Sequence, residues 1–352
     1  MLKNQDFEVW NLSPNDIVKY GATSIFNIVG RVKNPAELVE FSYILNDKPK
    51  TGIFFAKISK RSGRLKKSGD FNIDTINIYD LRRQNLIKFI VRRNKNYIKC
   101  YNITFDAVPF TNTEPKFSLD LVNVTAAEQI GQVVEGNWHI SRDHSGRKYL
   151  EILPEDAGYD RLILFGHREW QSNYEVYTRL SVTKIIGVHN LGIVFRWNPH
   201  EQGNGEYLPK TWSTGLAYYT SYGKNPGIRV RYGVNVYIDE YGIKHGDYLL
   251  EAKPLSFNNR LIHKFNFLSR LSNWMTDIKI NCEYCFRFRI QAKQCALSVW
   301  QADEGELSPQ IIVNNPIDYL RNGSVGILAF QVALKIHEFR VSPIKEIGQS
   351  RD

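Results

Sequence analysis

The sequence predicts an all-β protein built from two β-sandwich domains, and three observations point to this fold class. Tyr, Phe and Trp make up 13% of the 352 residues, with 19 Tyr and 19 Phe against only 2 Met, a composition that favours strands. Short segments that alternate apolar and polar residues recur along the chain, whereas long helical periodicities are scarce. The length suits two domains better than one.

The first domain is predicted at residues 1–128. Strand-like runs begin at Ser24 and are separated by turn residues such as Asn34-Pro35 and Asn46–Pro49. Six or seven short strands in roughly 100 residues resemble an immunoglobulin-like or fibronectin-like sandwich. The two paired cysteines of antibody domains do not occur in this stretch, so the resemblance implies the general architecture only.

The formal net charge is +10, and most of the surplus lies in this first part, which has 20 Lys and Arg against 13 Asp and Glu. Two runs contain no acidic residue, Lys57–Lys67 and Arg82–Lys99. The first run carries the basic side chains Lys57, Lys60, Arg61, Arg64, Lys66 and Lys67. Such runs can bind nucleic acid, anionic membranes or acidic glycans, and the alternative is that they are solvated hairpin tips.

The second domain is placed at residues 129–352, after a segment rich in Thr, Asn, Pro and Glu with a short helical piece near Thr125–Gln129. At least eleven short strands can be drawn there, which fits a two-sheet jelly roll. Phe257–Met275 has apolar residues at helical spacing and is predicted to be a helix or a long loop between strands.

The clearest strand signal is Asn173–Asn198, which is predicted to form two successive strands with one apolar and one polar face each. The apolar rows, predicted to be core, are Val176, Leu180 and Val182 in the first strand and Ile193, Phe195 and Trp197 in the second. The polar rows are Glu175, Tyr177 and Arg179 in the first strand and Arg196 and Asn198 in the second.

The order of motifs resembles the concanavalin A-like lectin and glucanase sandwich, especially its laminin-G-like branch. The motifs are NW at Asn137-Trp138, then NYEVYTRLSV, GIVFRWN, YCFRFRIQA, SVWQADE, GSVGILAFQ and IHEFRVSP. The resemblance covers about residues 136–343 and implies a jelly roll. The family includes glycan-binding modules, glycoside hydrolases, polysaccharide lyases and adhesion domains, so it implies a fold rather than one activity.

The polar rows supply the candidate site. If the strands share a sheet, several guanidinium groups converge with a Tyr and amides, and such a surface suits an anionic ligand. The predicted ligand contacts are Glu175, Asn198, Arg287, Arg289 and Gln291, and the working set of an enzyme would be Tyr177, Arg179, Arg196 and His200. Some lyases of the resembled fold use Tyr, His, Arg and Asn in this way. The alternative is that the arginines form cross-strand ion pairs with Glu175 or Glu338.

Aromatic residues and acidic loops offer further candidates. Trp212, in a Gly-rich loop, and Tyr219 are predicted to contact the ligand, whereas Trp197 and Trp300 are predicted to be core. Asp303 and Glu304 are candidate Ca²⁺ ligands, as are Glu155, Asp156 and Asp160, and the alternative is solvated acidic loops. Cys282 and Cys285 would lie on opposite faces of a strand, so reduced thiols are predicted rather than a metal site.

The pair of carboxylates on an E-x-D-x-x-E strand, typical of hydrolases of the resembled fold, does not occur in the sequence. The chain also contains no apolar run of membrane-spanning length and begins without a secretory signal, so a cytoplasmic location is expected. The leading hypothesis is binding of a glycan or another polar small molecule, and the arginines extend this hypothesis to anionic ligands. The alternatives are an enzyme on the same face, either a lyase or a cyclase of a specialised metabolite, or an adhesion or scaffold module.

Overall fold

The computed structural model describes residues 2–50, 68–94, 96–158, 161–171, 173–197, 215–221, 227–233, 237–238, 244–245, 249–252, 278–291, 294–314 and 322–344. Strands dominate these residues, and their helices are three 3₁₀ turns, Pro35–Glu37, Ile78–Asp80 and Ala127–Gln129. The predicted all-β fold is therefore confirmed. Within the described part of the chain, no helix has the length and apolar character needed to cross a membrane. The segment Phe257–Met275 lies outside the described residues.

The first nine strands form two facing sheets, which we call the first sandwich. The antiparallel four-stranded sheet has the order β1 (Leu2–Lys3), β2 (Phe7–Val9), β4 (Ile25–Val32) and β7 (Asp70–Asn77). The five-stranded sheet has the order β3 (Asp16–Tyr20), β9 (Tyr97–Pro109), β8 (Gln84–Asn94), β5 (Glu40–Leu45) and β6 (Lys48–Lys50). Strand β3 runs parallel to β9, and the other pairs are antiparallel.

Phenylalanine rings fill the space between these two sheets. The ring centroid of Phe89 lies 5.1 Å from that of Phe7 and 5.5 Å from that of Phe41. Alternation along β8 buries Ile87, Phe89 and Val91 completely, because every second side chain points between the sheets. This packing gives the first sandwich its own core without a disulfide, since all four cysteines of the chain are free thiols.

A larger assembly, the second sandwich, follows in the chain. Its strands are β10 (Phe117–Ser118), β11 (Gln132–Glu135), β12 (His139–Arg142), β13 (Lys148–Glu151), β14 (Arg161–Phe165), β15 (Tyr174–Trp197), β16 (Gly215–Thr220), β17 (Gly227–Gly233), β20 (Leu249–Ala252), β21 (Glu283–Gln291), β22 (Gln294–Gln301), β23 (Ile311–Asn314) and β24 (Ser324–Pro343). The short strands β18 (Tyr237–Ile238) and β19 (Lys244–His245) pair with each other in a separate two-stranded sheet. Because β10 pairs with β24, the second sandwich begins before the boundary predicted at residue 129.

Two long strands, β15 and β24, pair antiparallel and contribute to two sheets. The first half of β15 and the second half of β24 lie in the front sheet, which continues through β21, β22 and β23 on one side and β13 and β12 on the other. The other halves lie in the back sheet, whose order is β11, β14, β24, β15, β16, β17 and β20. Register shifts between Val182 and Lys184 and between Ile185 and Asn190 mark the crossing, as expected where bulges bend a strand.

The two sheets enclose the main hydrophobic core. Phe195 of the back sheet stacks on Phe288 of the front sheet, with ring centroids 4.3 Å apart. Val176 and Leu180 point into the same core and are completely buried. The first half of β15 and β21 therefore present their other side chains on the outer face of the front sheet.

The two sandwiches are joined by buried hydrogen bonds. The Gln132 side chain accepts from the backbone N–H of Ala22 at 3.0 Å and donates to the carbonyl of Ile25 at 2.6 Å. Asn72 donates its amide to the carbonyl of Val134 at 2.9 Å. This junction lies beside the back sheet, because β11, which carries Gln132 and Val134, is the edge strand of that sheet.

Candidate functional site

The outer face of the front sheet carries the polar row predicted from the first half of β15. Glu175, Tyr177 and Arg179 are half-buried, while the residues between them are fully buried. In the neighbouring strand β21, Arg289 lies opposite Glu175, and Arg287 lies opposite Tyr177. The front sheet therefore brings these five side chains together, and we call its outer surface the polar face.

Glu175 lies between two arginines of the polar face. Its Oε2 is 2.5 Å from Nε of Arg289, and its Oε1 is 3.4 Å from Nε of Arg287. Arg287 also pairs with Glu306, which follows β22. One carboxylate thus holds both guanidinium groups over the same part of the sheet, and a second carboxylate holds Arg287 from the loop side.

The other two arginines of this face are paired as well. Nη1 of Arg179 is 3.3 Å from Oε2 of Glu283, and Nε of Arg340 is 2.8 Å from Oε1 of Glu338. The structure thus shows ion pairs on this face, which was the alternative left open by the sequence. The partners of Arg287 and Arg289 include Glu175, as that alternative expected, whereas Arg179 pairs with Glu283 instead.

Arginine side chains cover the aromatic rings of the polar face. The guanidinium carbon of Arg287 is 5.7 Å from the ring centroids of both Tyr177 and Trp300, and that of Arg340 is 4.8 Å from the Tyr177 ring. Trp300 is only 4% exposed. These distances are those of cation–π contacts, so a ligand would meet guanidinium and carboxylate groups before ring faces.

The environment of Tyr177 disfavours it as a general base. Its hydroxyl lies 3.3 Å from Sγ of Cys285. Burial raises the pKa of Tyr177 above its ordinary value, and the contact with Cys285 raises it further. The phenol therefore stays protonated at neutral pH, whereas a catalytic base needs a pKa near the working pH.

A pocket of about 300 Å³ opens at the edge of the polar face, where the loop after β22 folds back over β21 and β22. Its lining residues are Arg287, Arg289, Ala296, Ser298, Glu306, Leu307, Ser308 and Pro309. Gln310 holds this loop against β22, because its side-chain amide exchanges two hydrogen bonds with the backbone of Val299, at 2.8 and 3.0 Å.

The register between β21 and β22 explains why space remains there. Ser298 lies opposite Arg287, and Ala296 lies opposite Arg289, so two small side chains face two long ones. Sequence reasoning identified the two arginines but missed Ser298 and the loop residues 307–309. The small residues alternating along β22 were the available signal, but the cross-strand register that gives them meaning is set by the fold.

Arg196 does not join the polar face, so its expected convergence with Tyr177 and Arg179 is wrong. It lies in the back-sheet half of β15, is 2% exposed, and has φ of 51° at a register shift between Phe195 and Trp197. The positive charge of Arg196 lowers the pKa of the Cys295 thiol, but burial has the larger effect and raises this pKa to about 12. Arg196 and the row Glu175, Tyr177 and Arg179 lie in different sheets because β15 crosses between them.

Tyr219 is not placed for ligand contact either, which corrects the second aromatic candidate. It is 2% exposed and points into the main core, with its ring centroid 5.6 Å from that of His189. Trp197 is buried in a hydrophobic cluster, as predicted, whereas Trp300 is buried beneath Arg287 on the polar face rather than in the core. Gln291 is exposed at the end of β21. The candidates outside the described residues are Asp160, Asn198, His200, Trp212 and the run Lys57–Lys67.

The acidic loop does not gather a calcium site. Asp303 and Glu304 are exposed, and the adjacent Glu306 is paired with Arg287. Among the described residues, no three His, Cys, Asp or Glu side chains cluster as metal ligands would. Asp156, an earlier candidate, instead binds the His139 ring at 2.8 Å. The donor set near residues 303–306 therefore does not fit Ca²⁺, which needs six or more oxygen ligands.

The sequence matches no protein-family model and no curated protein. Solved structures similar to this chain include the Ca²⁺-bound exoplasmic/lumenal domain of VIP36, 11% identical over 66% of this chain and 92% of that chain, with a TM-score of 0.34. Lectin II from Ulex europaeus is 10% identical over 65% of this chain and 98% of that chain, with a TM-score of 0.39.

A third similar structure is the GH43 protein BlXynB from Bacillus licheniformis, 11% identical, with a TM-score of 0.35. The match covers 74% of this chain but only 51% of that protein. At identities and TM-scores this low, the similar structures assign neither a family nor a ligand to this chain.

Proposed function

We propose that the second sandwich binds a glycan in the pocket beside the polar face. The observation that carries the proposal is the lining of this pocket, where the charged groups of Arg287, Arg289 and Glu306 and the hydroxyls of Ser298 and Ser308 border one space. A sugar hydroxyl both donates and accepts a hydrogen bond. A wall that offers donors and acceptors side by side therefore suits it.

The size and the apolar part of the lining support the same proposal. Ala296, Leu307 and Pro309 contribute apolar surface, against which the C–H groups of a sugar ring can pack. Ligand sites usually combine such apolar surface with a few placed polar groups and span about 300–1,000 Å³. The volume of this pocket, about 300 Å³, fits a short glycan segment rather than a large ligand.

The strand order supports the architectures that the sequence resembles. In the second sandwich, the long pair β15 and β24 folds across two sheets, as a jelly roll requires. In the first sandwich, β2, β4 and β7 face β5, β8 and β9, which corresponds to strands A, B and E facing C, F and G of an immunoglobulin-like domain. We therefore propose a concanavalin A-like binding domain beside an immunoglobulin-like one.

The laminin-G-like branch, a cytoplasmic location and the binding of an acidic polymer by Lys57–Lys67 stay predictions. Calcium binding also stays a prediction, without a ligand set among the described residues. An enzyme that uses Tyr177 as a base beside Arg196 is disfavoured on the polar face, because Tyr177 stays protonated and Arg196 is buried in the other sheet.

The test is binding to a broad glycan array, followed by titration calorimetry with variants of the pocket. Arg289→Ala removes a half-exposed guanidinium and should weaken binding about tenfold, the effect of losing one charge-assisted hydrogen bond. Arg142→Ala, at an exposed position of β12, is the control and should bind as the wild type does. The proposal fails if no glycan binds, or if Arg289→Ala binds every ligand with unchanged affinity.

A further inference from the structure

We infer that the ligand of this pocket is an uncharged glycan, and that the polar face selects against sulfated or carboxylated ones. This inference rests on the proposed function and goes further, because it names the substrate class. It also departs from the anionic ligand that the arginine-rich strands suggest in the sequence. The argument depends on how the charges of the face are paired.

Each of the four guanidinium groups on the polar face has a carboxylate partner. The pairs are Arg179 with Glu283, Arg287 with Glu306, Arg289 with Glu175, and Arg340 with Glu338. The described part of this face thus contains four arginines and four glutamates in mutual contact. These four positive charges are matched one to one, although the protein as a whole carries a net charge of +10.

Two further basic side chains of this face, His337 and Lys335, lie outside the lining of the pocket. His337 contacts the Ser181 hydroxyl at 2.9 Å and lies 3.6 Å from Glu283. Burial is the largest effect on His337 and lowers its pKa below the ordinary value, so the ring is mainly neutral at pH 7. The Lys335 amine lies 4.4 Å from the Tyr149 ring centroid.

An anionic group would have to compete with the carboxylates already in place. To reach Arg287 or Arg289, a sulfate must approach or displace Glu175 and Glu306, and both outcomes bring like charges close together. Like charges at such short range repel each other even in bulk water, and more strongly near a protein surface. The two carboxylates therefore act against a charged ligand at the pocket itself.

A hydroxyl group avoids this competition. A guanidinium has five N–H donors and a carboxylate has about four acceptor positions, so one ion pair leaves donors and acceptors unused on both partners. A sugar hydroxyl can accept from the arginine and donate to the glutamate without breaking the pair. Paired arginines and glutamates therefore recognise neutral hydroxyl groups better than isolated anions.

The experiment uses the full chain and glycans that differ only in charge. Suitable probes are dextran with dextran sulfate, methyl-esterified pectin with polygalacturonate, and an array of neutral oligosaccharides with their sulfated forms. We expect the protein to bind only the neutral glycan of each pair. The apparent Kd should change less than about threefold between about 50 and 500 mM NaCl, because no net charge is neutralised on binding.

A pair of variants on one loop tests the cause of the selectivity. Glu306→Gln leaves Glu175 as the one carboxylate shared by Arg287 and Arg289, so one positive charge becomes unmatched. The affinity for the charged glycans should then rise about fivefold or more, about 1 kcal/mol. Glu304→Gln, at an exposed position two residues away, removes the same charge from the protein and should leave the selectivity unchanged. Melting temperatures of both variants verify that they fold.

The proposed function and the inference about ligand charge are contradicted by different results. Binding of charged members only, with affinity that falls about tenfold or more as salt rises, overturns the inference and leaves the proposed function standing. Equal selectivity in Glu306→Gln and Glu304→Gln overturns the role of the ion pair. Absence of binding to any glycan overturns the proposed function, and the inference with it.

Discussion

The two outer faces of the second sandwich are built on the same pair of strands and differ in almost every property. The front sheet presents charged and half-exposed side chains, whereas the outer face of the back sheet is apolar and buried. Val194, Leu216 and Leu328 point outward from the back sheet, yet none is more than 3% exposed. They belong to a hydrophobic cluster that includes Ala22 of the first sandwich.

The difference between the two faces follows from the burial pattern of the two halves of β15. Its front half alternates buried and half-buried residues, as a strand with one solvated face does. In its back half, the residues from Leu191 to Phe195 are buried on both faces of the sheet. A ligand can therefore reach the front sheet, while the back sheet is joined to the rest of the protein.

Placing one charge on each outer face tests whether the two faces differ in burial. Leu216→Lys puts an ammonium group at a buried position of the back sheet and should lower the free energy of unfolding by about 3–5 kcal/mol. Ile312→Lys, at a position of the front sheet that is 55% exposed, should change it by less than about 0.5 kcal/mol. Urea unfolding followed by circular dichroism measures both values. Equal effects would show that the two faces are equally solvated.

A pH series tests the junction beside the back sheet. Glu128, in the 3₁₀ turn Ala127–Gln129, is 3% exposed, and burial raises its pKa to about 7, with a further rise from the charge of Asp16 in β3. Because the folded-state pKa is raised, the stability from this group is fully present below about pH 4.5 and is lost as pH rises through about 7. The loss is on the order of 3 kcal/mol.

The measurement is the thermal midpoint of unfolding at about pH 5 and about pH 8 in wild type and in Glu128→Gln. The wild-type midpoint should fall as the pH rises, because only the folded state resists ionisation of Glu128. In the variant, which cannot ionise at this position, the fall should be clearly smaller. An identical pH dependence in both proteins would show that Glu128 does not titrate in this range.

The smallest effect is expected on the polar face. Arg340→Ala removes one ion pair with Glu338 and one contact with the Tyr177 ring, both at the surface. Exposed pairs of this kind contribute about 0.2–1 kcal/mol, so the unfolding free energy should fall by less than about 1 kcal/mol. Denaturant unfolding at low and high salt checks this value. A larger loss would mean that the polar face is structural rather than available for binding.

The local part of the candidate site was predictable. The outward row Glu175, Tyr177 and Arg179 follows from alternation over neighbouring residues, which a sequence displays directly. The inward row follows in the same way, and Val176 and Leu180 are in the core. Arg196 and Tyr219 were not predictable, because both depend on where a long strand leaves one sheet and joins the other.

Composition and a two-residue period are local properties, so the sequence alone predicts the all-β fold class and the inward and outward rows of the front half of β15. The tertiary structure alone reveals which strands share a sheet, how the arginines and glutamates of the polar face pair, and how small residues of β22 leave a pocket beside Arg287 and Arg289. These features depend on contacts between residues far apart in the chain, such as Glu175 and Arg289. No local pattern encodes such a register.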